Sequence, residues 1–224
     1  APAVGKTVRR DAQSGDPELP FLDEKALRAL FRTALEASGL EAALPPESAA
    51  MLSVTGPERL GMFLRAQPEQ TEVLSLEEEY DAEIRVGGRI RRLTGNLDRV
   101  DWREQEDPEG AIDEGAVILD YKTGRIKALR PDIWADDAFW DALDPEAASE
   151  PDPEHDFLPI MAQRIPTVQL LYYCYLYGQA TGKPVLDAAF VALGEDGGER
   201  PLFGKGMTIE ERERALSLIP RLIG

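Results

Sequence analysis

The sequence predicts a mixed α/β protein, one β-sheet flanked by helices with a helical segment ahead of it. Three observations carry that expectation. Two stretches near 72–85 and 89–102 read as strands and meet at Gly87-Gly88, a dipeptide suited to a tight turn. A third stretch, GAVILDYK near 115–122, follows a polar loop and sets Val, Ile and Leu among small residues. Beyond it an apolar helical segment of about 165–180 leads through GKP into VLDAAFVAL, which reads as a further strand, and strands alternating with a helix call for layers.

Taken in order, residues 1–20 hold little apolar pattern and read as a mobile lead-in, leaving 21–224 as a single domain. A helix is expected from an Asp23 cap, because Leu27, Leu30, Phe31, Ala34 and Leu35 recur at helical spacing and Gly39 can end it. Shorter helices are expected at Pro46 to Val54 and Pro57 to Gln67, completing a helical part over 21–67. Between the third strand and the next helix, residues 131–160 read as an acidic insertion, a solvated loop with a short helix near DIWADDAFWDAL. In the helix of about 165–180, Val168, Leu171, Tyr172, Tyr175 and Leu176 form the expected core stripe. TIEERERALSLI reads as a terminal helix.

The hairpin of LTGNLDRVDW, REQEDPEGAIDE and GAVILDYKTG concentrates the chemistry. In an antiparallel pair the numbers of directly opposed residues add to a constant, about 217 for a loop from Arg103 to Glu114. Asp98 and Asp120 add to 218, so they are expected side by side. Side chains alternate along a strand, which sends Asp120 and Lys122 to one face and Tyr121 to the other. Two adjacent carboxylates repel unless a cation or proton lies between them, and such an oxygen pair suits Mg²⁺ or Mn²⁺ with phosphate as a further ligand. The competing reading is an exposed cross-strand ion pair with no chemistry.

GNLDRVD, ILDYKTG and QLLYY together resemble the three linked motifs of the RecB-type branch of the PD-(D/E)XK nuclease superfamily, over roughly residues 70 to 193. Gly95 and Asp98 match the G-x-x-D-R strand, Asp120 to Gly124 the D-Y-K-T-G strand, and Gln169 with Tyr173 the Q-x-x-x-Y helix. The resemblance implies a restriction-endonuclease-like fold and Mg²⁺- or Mn²⁺-dependent cleavage of DNA. It also implies that Asp98, Asp120 and the main-chain carbonyl of Tyr121 hold the metal, and that Lys122 serves the attacking water. Gln169 and Tyr173, one helical turn apart, would hold a DNA phosphate or support Lys122. Glu77, in LSLEEEY, resembles an acidic residue that many members carry on the preceding strand. The expected setting is the nuclease domain or a fragment of a larger repair or recombination protein, with DNA and a helicase domain or subunit as partners. The alternative is a catalytically degenerate module that binds DNA or a partner within such an assembly.

Two departures from the family pattern stand out. Members usually carry a metal-binding His on a helix before the sheet, whereas the single His here is His155, in the acidic segment. The single cysteine, Cys174, excludes a four-cysteine iron–sulfur cluster and an intramolecular disulfide, which points to a reducing cytoplasm.

Composition sets outer limits. At 224 residues the chain can bury one substantial core, no apolar run approaches a membrane span, and no secretory signal stands out. The net charge of -17 opposes nucleic-acid binding, but it is unevenly placed. Residues 131–156 hold ten acidic residues and no Lys or Arg, so the remainder has 25 basic against 32 acidic residues, a net of -7. Arg85, Arg89, Arg91 and Arg92 cluster at the Gly87-Gly88 turn, and Lys122, Arg125, Lys127 and Arg130 follow the third strand. Gly5-Lys6-Thr7 ends like a phosphate-binding loop but lacks the strand and glycine that such a loop needs ahead of it.

Overall fold

The computed structural model describes residues 24–67, 71–106, 110, 112–144 and 157–224. The expected lead-in, the Asp23 cap, the Gly5-Lys6-Thr7 segment and His155 lie outside them. Three helices come first, α1 (Glu24–Ser38), α2 (Leu40–Ala43) and α3 (Pro46–Ala66). Gly39 ends α1 at φ 67°, a left-handed conformation that costs glycine nothing. Where two short helices were expected, α3 runs unbroken through Gly56 and Pro57. Packing overrides the breakers: both residues are buried, and a Cβ on Gly56 would run into the Phe31 ring of α1.

The sheet follows, with β1 (Glu72–Val86), β2 (Arg89–Glu106) and β3 (Ile112–Lys122), then α4 (Asp137–Leu143), α5 (Leu158–Arg164), α6 (Gln169–Thr181), β4 (Val185–Ala192), β5 (Glu199–Pro201), α7 (Ile209–Leu216) and α8 (Leu218–Ile223). Strand order is β1-β2-β3-β4-β5, antiparallel except for β3 and β4, whose parallel pairing requires the crossover through α6. Five mixed strands with helices on both faces make the expected α/β, restriction-endonuclease-like architecture. The short edge strand β5 was not anticipated. The terminal helix is two pieces: a capping box of Thr208 and Glu211 starts α7, and Ser217 separates it from α8.

One core lies between the sheet and α4, α6, α7 and α8, with Leu97, Ile118, Phe139, Leu171 and Leu218 each fully buried. A smaller one on the opposite face joins Phe63 of α3 to Val117, Leu119, Leu186 and Val191. The first part of the acidic segment is not a solvated insertion. Trp134, Phe139, Trp140 and Leu143 are buried in the larger core, and the Trp134 indole donates to the Leu202 carbonyl at 2.8 Å. Its carboxylates face outward while its aromatics close the end of the sheet, as burial of that much apolar surface demands. Residues 145–156 lie outside the described residues. No helix among the described residues is long and apolar enough to cross a membrane.

Candidate active site

Every pair of the β2–β3 ladder adds to 218, from Glu106 opposite Ile112 to Arg99 opposite Leu119. The ladder ends one step short of the two aspartates, and the Asp98 carboxylate reaches across to accept the Tyr121 backbone N–H at 2.8 Å, close enough for its charge to act on Asp120. Along β3, Ala116 and Ile118 join the larger core and Val117 and Leu119 the smaller one. Continuing that alternation, Asp120 and Lys122 face α6 while Tyr121 turns to the back, its ring 5.7 Å from that of Phe63.

The strand β2 does not alternate so simply. Leu93 and Leu97 share the α6-side core with Val100, although an odd number of steps separates Leu97 from Val100. The phase therefore slips once in this stretch, beside Asp98. On β1 the residue facing this point is Glu77, whose φ of 48° is positive, which is costly for a side chain of that kind. Glu77 is exposed and takes only a long 3.5 Å contact from the Asn96 amide. Among the described residues no group of three or more His, Cys, Asp or Glu side chains is arranged to hold a metal, so Glu77 is not brought together with the two aspartates.

The helix α6 supplies the other wall. The Gln169 amide donates to Asp120 Oδ1 at 3.0 Å and to the Tyr173 hydroxyl at 3.1 Å, while its oxygen accepts from Lys122 Nζ at 3.3 Å. One side chain thus links Asp120, Lys122 and Tyr173. Lys122 Nζ also stands 5.0 Å from the centre of the Phe190 ring, a cation–π contact that fixes the ammonium from below. The core stripe of α6 differs from the expected one: Leu170, Leu171, Cys174, Leu176 and Tyr177 are buried, whereas Val168 caps the helix and is exposed. Tyr172 holds α6 to β2 instead, its hydroxyl donating to the Thr94 carbonyl at 2.8 Å and accepting the Thr94 N–H at 3.1 Å. The approach is close, since a Cβ on Gly95 would stand 3.0 Å from Leu176 Cδ2 and 3.4 Å from the Tyr173 ring.

Asp120 is buried, and burial raises its carboxyl above the usual carboxylate range; Lys122 opposes the shift and the charge of Asp98 adds to it. Lys122 Nζ contacts Asp120 Oδ2 at 2.5 Å, so the buried carboxylate is held by this ammonium on one oxygen and by the Gln169 amide on the other. With a second carboxylate alongside, the donor set fits a hard divalent cation that keeps several waters.

The back face of the same strands carries a second charged cluster that the sequence reading did not single out. Arg99 forks onto Asp101 at 2.6 and 3.0 Å, Arg103 reaches the same carboxylate at 2.7 Å, and Arg103 also forks onto Glu199 at 2.8 and 2.7 Å. Arg99 further donates to Gln67 Oε1 at 3.0 Å and lies 6.0 Å from the Phe63 ring centre, tying α3 to the sheet. The signal was present in DRVDWR, where Arg, Asp and Arg stand two apart on one strand face.

The chain belongs to the PD-(D/E)XK nuclease superfamily, whose family model matches residues 6–222. The superfamily is one of nucleases that typically use divalent metals. Among solved structures, SSO0001 aligns at 14% identity over 88% of this chain and 70% of that one, with a TM-score of 0.27, too loose a likeness to carry an argument. Comparison with curated proteins gives no match.

Proposed function

We propose that this chain hydrolyses DNA phosphodiester bonds with Mg²⁺ or Mn²⁺ held by Asp98, Asp120 and the main-chain carbonyl of Tyr121. The observation that carries the reading is the proximity of two carboxylates on adjacent strands, one of them buried against the lysine two residues on. Bound there, the metal would supply Lewis acidity toward the scissile phosphate and an attacking water. Lys122 polarises and orients that water from the same face. Gln169 holds Lys122 and Asp120 in register with each other, and Tyr173 fixes the Gln169 amide. The three motifs support a RecB-type setting, in which the chain is the nuclease domain or a fragment of a larger repair or recombination protein that works with a helicase.

The test is cleavage of single- and double-stranded DNA with Mg²⁺, with Mn²⁺ and with EDTA. Metal-dependent products that vanish on Asp120→Ala and on Lys122→Ala support the mechanism; equal cleavage in EDTA removes it. A second reading, a catalytically degenerate module that binds DNA or a partner, is favoured by the two-carboxylate set, which no third His, Cys, Asp or Glu joins among the described residues. Calorimetric titration with Mn²⁺ separates the two, because a degenerate module has no reason to bind the metal tightly.

A further inference from the structure

The β2 ladder to β3 spans Arg99 to Glu106, so the preceding half of β2, paired only with β1, runs on past the end of β3 that carries Asp120 and Lys122. This arm is closed by Gly87 and Gly88, at φ 56° and 76°. Its inner side is anchored: Ala82, Ile84 and Leu93 are buried, and Val86 packs close to Gly224 at the end of α8. The arm is therefore a supported ribbon.

Its charge is sorted along its length. The ten residues from Ile84 to Leu93 include four arginines and no acid, in a chain of net charge -17. Arg92 lies 3.7 Å from Asp81, whereas Arg85 and Arg89 are exposed at the tip and face no carboxylate within ion-pair distance among the described residues. Nearer the sheet, the exposed Glu79, Asp81 and Glu83 repel a phosphate backbone from the stem. After β3, the exposed Arg125 and Lys127 continue the basic character at the same end of the sheet. Phosphate binding is thus favoured at the site and at the tip, and disfavoured between them.

We propose that the tip of the β1–β2 arm, through Arg85 and Arg89, contacts the phosphate backbone of duplex DNA about nine base pairs from the site of cleavage. The inference rests on the nuclease reading above and names how its substrate is held. Nine residues separate Arg89 from Asp98, roughly 30 Å at about 3.3 Å per residue. That span matches about nine base pairs at roughly 3.4 Å each. A duplex stays straight over so short a distance, so the contact acts as a ruler; a flexible single strand would not keep the spacing.

Binding of labelled duplexes is measured in EDTA, so no cleavage intervenes, across 50 to 200 mM salt. For Arg85→Ala with Arg89→Ala on a 30-base-pair duplex, the slope of log affinity against log salt falls by about 2, one counterion per lost contact. The wild-type chain then loses about tenfold more affinity than the variant over that salt range. The lysine pair Arg85→Lys with Arg89→Lys keeps the wild-type slope, which separates lost charge from lost fold. The difference between alanine variant and wild type disappears on duplexes shorter than about nine base pairs. Equal slopes for wild type and alanine variant, a slope change independent of duplex length, tighter binding of single strands, or no DNA binding by the wild type would each overturn the proposal. Absence of metal-dependent cleavage alongside the expected slopes strikes the nuclease reading alone.

Discussion

Two charged clusters lie back to back on the same strands, separated by the thickness of one sheet, and they are built to different standards. Behind the sheet, Asp101 is fully buried and accepts three charge-assisted hydrogen bonds from Arg99 and Arg103; Arg103 Nε is left without an acceptor. In front, the buried Asp120 carboxylate is held by the single ammonium of Lys122, itself about a third exposed, and by the Gln169 amide. The rear cluster is nearly complete as it stands and joins α3 and β5 to the sheet. The front cluster is the more open of the two, with two carboxylates beside one part-exposed cation. The contrast shows how a single stretch, NLDRVDWR, contributes to the ion-pair cluster behind the sheet and to the proposed site in front of it.

The largest expected effect breaks the comparison from the front. Asp120→Ala should lower metal-dependent cleavage on the order of 10³-fold. Its stability should fall by about 1 to 3 kcal/mol, because the Gln169 bond and the Lys122 pair are lost but Lys122 stays free to reach water. Nuclease assays and urea denaturation on one preparation read both. The reverse holds behind the sheet: Asp101→Ala leaves the buried Arg99 guanidinium without its carboxylate, while Arg103 keeps Glu199, and should cost about 3 to 5 kcal/mol. A variant that unfolds at the wild-type urea midpoint would show that the rear cluster is not structural.

Asp187 sharpens the comparison as a third buried carboxylate, satisfied by N–H groups and no cation. It accepts from Ala188, Phe203 and Gly204 at 2.7 to 3.0 Å, yet burial outweighs these bonds and its pKa is raised to about 6. The folded chain then holds this proton more tightly than the unfolded one. Its stabilising contribution is full below the ordinary carboxyl pKa of 3.8 and is lost as pH rises through about 6. Relative to Asp187→Asn, the wild type should lose about 2 kcal/mol between pH 4 and 6, and about 3 kcal/mol in all once the pH has passed about 7. Denaturation curves of the two chains across that range test it; parallel pH profiles would refute the shift. The smallest effect is Gly95→Ala, whose new methyl meets Leu176 and should cost about 1 to 2 kcal/mol. Because it pushes α6 from β2, cleavage should fall more than stability predicts.

The hairpin and its facing aspartates were legible because antiparallel pairing reduces to arithmetic on residue numbers. The face assignments of Asp120, Tyr121 and Lys122 follow from the two-residue repeat. What escaped depends on tertiary packing. The unbroken α3 needs Phe31 against Gly56, the burial of Trp134 and Trp140 overrides a run of acids, and the stripe of α6 was caught in part: Leu171 and Leu176 are buried as expected, Leu170, Cys174 and Tyr177 join them, and Val168 does not. The gathering of Gln169 onto both Asp120 and Lys122 was foreshadowed only by resemblance, since residues 47 and 49 positions apart give no local sign of contact.

The phase slip beside Asp98 divides β2 into two independently indexed segments. Upstream of it, odd-numbered residues such as Leu93 and Leu97 face inward; downstream, even-numbered ones such as Val100 do. Adding or removing one opposed residue pair on each side of the Gly87-Gly88 turn would therefore change the projection by roughly 3.3 Å and leave the aspartate pair where it is. On the readings proposed above, contact along DNA and metal chemistry would then be open to independent adjustment by selection or by design.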